Sequence, residues 1–189
     1  DVATLKRIDV QDGILSVGAC TTLSRLLSFF SAGACRSEAM VNLLKRFGSK
    51  QIRNRATIGG NLCSASPIGD LIPALLVLEA TAVLTRANGS RILDLEQFIE
   101  GYRKTALAKD EYLSKISLSI PESWSSFAFR KLSKRYEDDI SSVSIAVFLL
   151  HDNVRIKEIR IALGGAGDRA LRLFEVEKII LGRRLIDID

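Results

Sequence analysis

The sequence predicts an α+β chain in two units, with the boundary near residues 120–124. Three observations support this. Apolar residues in the first hundred positions recur mostly at helical spacing, broken by short strands. From about Glu111 they fall at every second position instead, between tight turns. The longest apolar run, residues 71–78, contains Pro73 and is too short to span a bilayer.

Residues 13–19 read as a short strand, after which Thr21 or Thr22 can cap a helix with Leu23, Leu26, Leu27 and Phe30 on one face. Residues 38–47 repeat the pattern with Met40, Val41, Leu43, Leu44 and Phe47. A glycine-pair turn follows, Thr57-Ile58-Gly59-Gly60-Asn61, with Ser64, Ser66 and Asp70 close behind. Asp70 is placed to cap a helix over 71–79, with Pro73 in its first turn, where proline is tolerated. Residues 81–86 form a strand, Asn88-Gly89 a hairpin turn, and residues 95–100 a short helix. From Glu111 on, Ile116, Leu118 and Ile120 alternate up to Pro121. Phe127 and Phe129, then Val143, Ile145, Val147 and Leu149, then Ile159, Ile161 and Leu163 follow the same period. Such strands imply an antiparallel sheet with one covered face. Gly164-Gly165-Ala166-Gly167 then leads into a helix carrying Leu171, Phe174, Val176, Ile179 and Ile180.

Composition narrows the function. Hydrophobic residues make up 47% and charged residues 26%, an ordinary globular balance. The net charge is +5, but the positive residues are scattered, and the dense stretch 131–135 runs directly into Glu137, Asp138 and Asp139. A nucleic-acid groove is not expected. Cys20, Cys35 and Cys63 are too few and too far apart for a disulfide framework or a zinc or iron–sulfur ligand set. They read as buried small hydrophobes in a reducing cytoplasm. His151, the only histidine, sits at a predicted hairpin end with no triad or metal set around it. The first residues do not form a secretory signal.

Four segments are candidates for chemistry. Two adjacent glycines let a backbone approach a ligand closely, and consecutive N–H groups in a concavity hold an anion. With Thr57, Ser64 and Ser66 as donors and Asp70 as acceptor, the first segment suits a diphosphate and sugar hydroxyls, although a simple tight turn is the plainer alternative. Gly165-Ala166-Gly167-Asp168-Arg169-Ala170 fits a dinucleotide fingerprint, but it follows an antiparallel strand, so a strand-to-helix turn is expected. Residues 131–140 read as a charged loop, either solvated or lying over a cofactor. Gly101-Tyr102-Arg103-Lys104-Thr105 pairs an aromatic ring with cations that can steer a planar anion.

The stretch from Phe47 through Arg55-Ala56-Thr57-Ile58-Gly59-Gly60-Asn61 to Ser66-Pro67-Ile68-Gly69-Asp70 resembles a flavin-contact motif. The family is the flavoprotein component of molybdenum hydroxylases, and the branch is the FAD-binding subunit of xanthine dehydrogenase. Residues 102–105 and 131–140 resemble two further signatures of that branch. The resemblance implies part of a vanillyl-alcohol-oxidase-type FAD-binding domain at 1–122, then a smaller α+β domain with an antiparallel sheet at 123–189, similar to the C-terminal domain of the CO dehydrogenase flavoprotein.

The same resemblance places FAD contacts at Phe47, Thr57, Ile58, Gly59, Gly60, Asn61, Asp70, Leu113 and Lys131. It makes Asp138 a residue tuning the isoalloxazine, and sets Tyr102 and Arg103 where the nicotinamide substrate approaches. FAD would pass electrons to NAD, with molybdopterin and [2Fe-2S] clusters on partner subunits. No metal ligand is expected in this chain. The family's first flavin motif would lie upstream of Asp1 and its second domain would continue past Asp189, so the chain reads as truncated at both ends. The flavin subunit of a CO dehydrogenase or aromatic acyl-CoA reductase, or a fragment that keeps the fold without flavin, are the alternatives.

Overall fold

A computed structural model describes residues 2–136 and 138–187, so Glu137 of the acidic run lies outside the described residues. In chain order the elements are β1 (Ile8–Gln11), β2 (Ile14–Gly18), α1 (Leu23–Ser31), α2 (Glu38–Lys45), α3 (Lys50–Arg55), α4 (Ile58–Cys63), α5 (Leu71–Val77), β3 (Thr81–Arg86), β4 (Gly89–Asp94), α6 (Leu95–Phe98), β5 (Ile99–Gly101), β6 (Lys104–Thr105), β7 (Tyr112–Ser119), β8 (Phe127–Leu132), β9 (Val143–His151), β10 (Ile156–Gly164), β11 (Leu171–Arg172) and α7 (Phe174–Ile180). A five-stranded sheet runs β1-β2-β7-β3-β4 and a four-stranded sheet β11-β10-β9-β8, with β5 and β6 forming a separate hairpin. All pairings are antiparallel, the α+β architecture expected.

Four successive helices begin on a hydroxyl cap. Thr22, Ser37, Ser49 and Thr57 each accept from the backbone N–H three residues on. This satisfies a donor that the first helical turn leaves unpaired. α1 buries Leu23, Leu26 and Phe30, and α2 buries Met40, Leu43 and Leu44, as their spacing predicts.

α5 is buried on every side: all seven of its residues are in the core. It packs on β9 and β10, which offer it small residues, Ser144, Ala146, Ala162 and Gly164, all buried. Small side chains let helix and sheet approach closely, and a Cβ on Gly164 would lie 3.1 Å from Pro73 Cγ. One hydrophobic core therefore runs through both units, from Leu15 and Leu118 to Phe127 and Phe148.

Several local expectations change. Gly59 and Gly60 form the first turn of α4 and have no positive φ. β9 buries Ser144, Ala146 and Phe148, while Val143, Ile145, Val147 and Leu149 occupy its less buried face, with Ile145 36% exposed. Both faces of that strand are apolar, so alternation alone did not fix its phase. The β3–β4 hairpin turns at Ala87 and Asn88, with Gly89 already paired to Arg86. Leu171 lies in β11, and the last helix begins only at Phe174. Of the cysteines, Cys35 is buried but Cys63 is exposed. His151 is exposed, and its Nδ1 accepts from Asn153 N at 3.1 Å.

Candidate functional site

The two glycines of α4 differ in what requires them. A Cβ on Gly59 would lie 2.6 Å from Ala19 Cβ and 2.7 Å from Ala19 O, so packing against the end of β2 demands glycine there. Gly60 is exposed, and a Cβ there would meet only Thr57 Oγ1 at 3.1 Å. Among the described residues only that capping hydroxyl would have to give way to a side chain there.

The expected nest of free N–H groups is not formed. Ile58 N donates to Thr21 O, Gly59 N to Ala19 O, Gly60 N to Thr57 Oγ1 and Asn61 N to Thr57 O. A helix in place of a turn consumes these donors. The Ser64 hydroxyl is also spent, on Asn61 O at 2.7 Å. What α4 leaves is the bare backbone of Gly60 and the buried Oδ1 of Asn61, which has no hydrogen-bond partner among the described residues.

Asp70 does not cap α5. Its carboxylate turns the other way: Oδ2 accepts from Lys131 Nζ at 2.7 Å, and Oδ1 accepts from the Ser141 hydroxyl. Both charged side chains are buried, 7% and 2% exposed. The Lys131 ammonium also donates to Asp139 O at 2.7 Å and Arg46 O at 3.2 Å, which uses its three N–H groups. Lys131 is thus an internal residue of β8 rather than part of a solvated loop, and its charge is spent on holding the loop that follows.

Arg46 grips the same loop. Its guanidinium donates to Lys131 O at 2.9 Å and Ser133 Oγ at 3.1 Å, and lies 5.0 Å from the Tyr136 ring centroid. Asp139 closes the loop by accepting from Arg135 N at 2.7 Å and Ile140 N at 3.0 Å. The Arg135 N–H, ahead of the other donors, holds this carboxyl below its usual range. Asp138 stands exposed at φ +53. Arg46 and Ser141 escaped the sequence reading, since neither belongs to a glycine, acidic or aromatic cluster.

Tyr102 and Arg103 form the turn of the β5–β6 hairpin. Tyr102 is 61% exposed, and the Arg103 guanidinium lies 5.6 Å from its ring. Arg103 N donates to Ala65 O at 3.1 Å, which ties this tip to the segment after α4. Phe47 is half-buried behind α2, and Leu113 is buried in β7 opposite Leu84.

Residues 65–70 are the hub of these contacts. The hairpin reaches them through Ala65, the charged loop through Asp70, and the Gly164-Gly165 corner through Pro67 O, which accepts from Gly165 N at 2.8 Å. Four stretches far apart in sequence therefore meet. The residues present suit a flavin: a buried amide oxygen lacking a donor, beside a glycine backbone open to close approach, fits a ligand N–H or sugar hydroxyl. The glycine pair does not add phosphate-binding N–H groups to that fit.

Residues 1–122 match the family described as FAD binding domain in molybdopterin dehydrogenase. Residues 128–188 match the CO dehydrogenase flavoprotein C-terminal domain. The chain is 29% identical over 187 residues to the caffeine dehydrogenase subunit beta of Pseudomonas sp. (strain CBB1), covering 97% of this chain and 62% of that one. It is 32% identical over 197 residues to xanthine dehydrogenase 2 of Arabidopsis thaliana, covering 96% of this chain and 14% of that one. The structure of a carbon monoxide dehydrogenase from Hydrogenophaga pseudoflava, lacking the Mo-pyranopterin moiety of its molybdenum cofactor, superposes with a TM-score of 0.88 at 26% identity, over 97% of this chain and 63% of that one. The chain thus spans less than two thirds of these relatives. It belongs to the FAD-binding flavoprotein family of the molybdopterin dehydrogenases.

Proposed function

We propose that this chain is part of the FAD-carrying subunit of a xanthine dehydrogenase, divided into a flavin domain at 1–122 and a C-terminal flavoprotein domain at 123–189. The exposed Gly60, where a side chain would displace only the Thr57 hydroxyl, next to the unpartnered Asn61 Oδ1, is the observation that carries the reading. FAD supplies the conversion between single electrons arriving from iron–sulfur clusters and the two-electron hydride taken by NAD. Molybdopterin and [2Fe-2S] belong to partner subunits, and the assembly works in the cytoplasm. Among the described residues no helix is long and apolar enough to cross a membrane, and none of the His, Cys, Asp and Glu residues group as a metal site.

Phe47, Gly60 and Asn61 form the surface against the flavin. Thr57, Ile58, Gly59 and Leu113 hold that surface in place from the core. Asp70 and Lys131 fix the base of the charged loop, so that Asp138 sets the potential near the isoalloxazine. Tyr102 and Arg103 receive the nicotinamide nucleotide.

Gly60→Val in the full-length flavoprotein tests the site, because a β-branched side chain obstructs approach to that backbone. Flavin content should fall, and unchanged content rejects the site. The assembled enzyme should form NADH from xanthine. Turnover only with another donor, such as carbon monoxide, rejects the branch.

A further inference from the structure

The corner at residues 164–170 is clamped at both ends. Gly165 sits at φ +84, where a Cβ would lie 2.4 Å from Ser142 O, and its N–H is fixed on Pro67 O. At the other end the Arg169 guanidinium donates to Ile99 O, at the start of β5. The residue between them, Asp168, is thereby carried to the hairpin that bears Tyr102 and Arg103: a Cβ on Gly101 would lie 3.6 Å from Asp168 Oδ2. Asp168 is exposed, and among the described residues its carboxylate makes no hydrogen bond and no ion pair.

An unpaired surface aspartate is ordinary. One on a turn pinned at both ends, with its carboxylate against Gly101, lies beside the hairpin whose tip carries an exposed ring and a guanidinium. Those three groups complement the three parts of a nucleotide. A planar base stacks on a phenol ring, a guanidinium pairs with phosphate, and a carboxylate accepts from the two hydroxyls of a ribose.

We propose that Asp168 is an acceptor-binding residue that takes hydrogen bonds from the ribose hydroxyls of the nicotinamide nucleotide received by Tyr102 and Arg103. This rests on the NAD reading above. It also gives the glycine-rich stretch at 164–170 a role without the dinucleotide fold its spacing imitates.

The test uses Asp168→Ala and Asp168→Glu in the assembled enzyme with full-length chains. The readouts are flavin content, and kcat/KM for NAD⁺ relative to the neutral, sugar-free acceptor 1,4-benzoquinone. Loss of a charge-assisted hydrogen bond predicts that Asp168→Ala lowers this ratio about tenfold through KM for NAD⁺, and that Asp168→Glu recovers most of it. An unchanged ratio overturns the assignment, and so does a loss of flavin that lowers both acceptors together. A wild-type enzyme that reduces benzoquinone but not NAD⁺ removes the nicotinamide reading and this residue's role with it. NAD⁺ reduction that is indifferent to Asp168 removes only the latter.

Discussion

Replacing Lys131 by Met tests whether the joint between the two units is energetically real. The substitution removes an ammonium 2.7 Å from Asp70 Oδ2 and leaves that carboxylate, 7% exposed, with only the Ser141 hydroxyl. The carbonyls of Asp139 and Arg46 lose a donor as well. Breaking one side of a buried pair costs about 3–5 kcal/mol, because the surviving charge has neither water nor counter-charge. An exposed pair is worth under about 1 kcal/mol. Asp70→Asn should cost a similar amount by stranding the ammonium. The double variant Asp70→Asn/Lys131→Met should cost clearly less than the sum, since no unpaired charge remains. Urea denaturation of the full-length flavoprotein, with each variant fitted separately, gives the cycle. Single variants that each lose less than about 1 kcal/mol, or a double variant equal to their sum, would refute the reasoning.

Other outcomes follow from neighbouring features. Gly59→Ala should destabilise the protein by about 1–3 kcal/mol through overpacking against Ala19, whereas Gly60→Ala, which presses only on the Thr57 hydroxyl, should cost less yet hold less flavin. Denaturation and flavin absorbance of the two variants separate packing from binding, and equal behaviour would count against the distinction. Thr57→Ala removes the cap of α4 and should cost about 1 kcal/mol in the same denaturation assay. The Arg91 fork, aided by Ala108 N, holds the Glu111 carboxyl down from 4.5 to about 2. A depressed carboxyl adds stability that is complete above pH 4.5 and is lost as pH falls toward 2, so the gap between the parent and Glu111→Gln should close across that window. A gap that stays constant down to pH 2 would contradict the assignment.

Where one element's own residues decide its state, the sequence was readable. Thr22 with Leu23, Leu26 and Phe30 specified α1, and the β-rich residues 81–86 specified β3. Where tertiary contacts decide, it was not. α4 carries two residues of poor helix propensity in its first turn and forms because Thr21 O, Ala19 O and Thr57 Oγ1 receive its first N–H groups. β1 (Ile8–Gln11) went unread because half its side chains are exposed at a sheet edge and its pattern is weak. At the site, the motifs themselves were visible, but their relations were not. Asp70 looked like a cap from its position before an apolar run, yet a lysine sixty-one residues away claimed its carboxylate. No local pattern records such a partner.

The all-apolar α5 has a consequence for how these two family modules are inherited. It belongs by sequence to the first, yet the surface that covers it comes largely from β9 and β10 of the second. A gene break between the modules would leave one piece with a bare oily helix and the other with an uncovered alanine platform. Neither would persist for long in a crowded cell. The pair is therefore expected to travel through evolution as one heritable block, with exchange of parts confined to its rim.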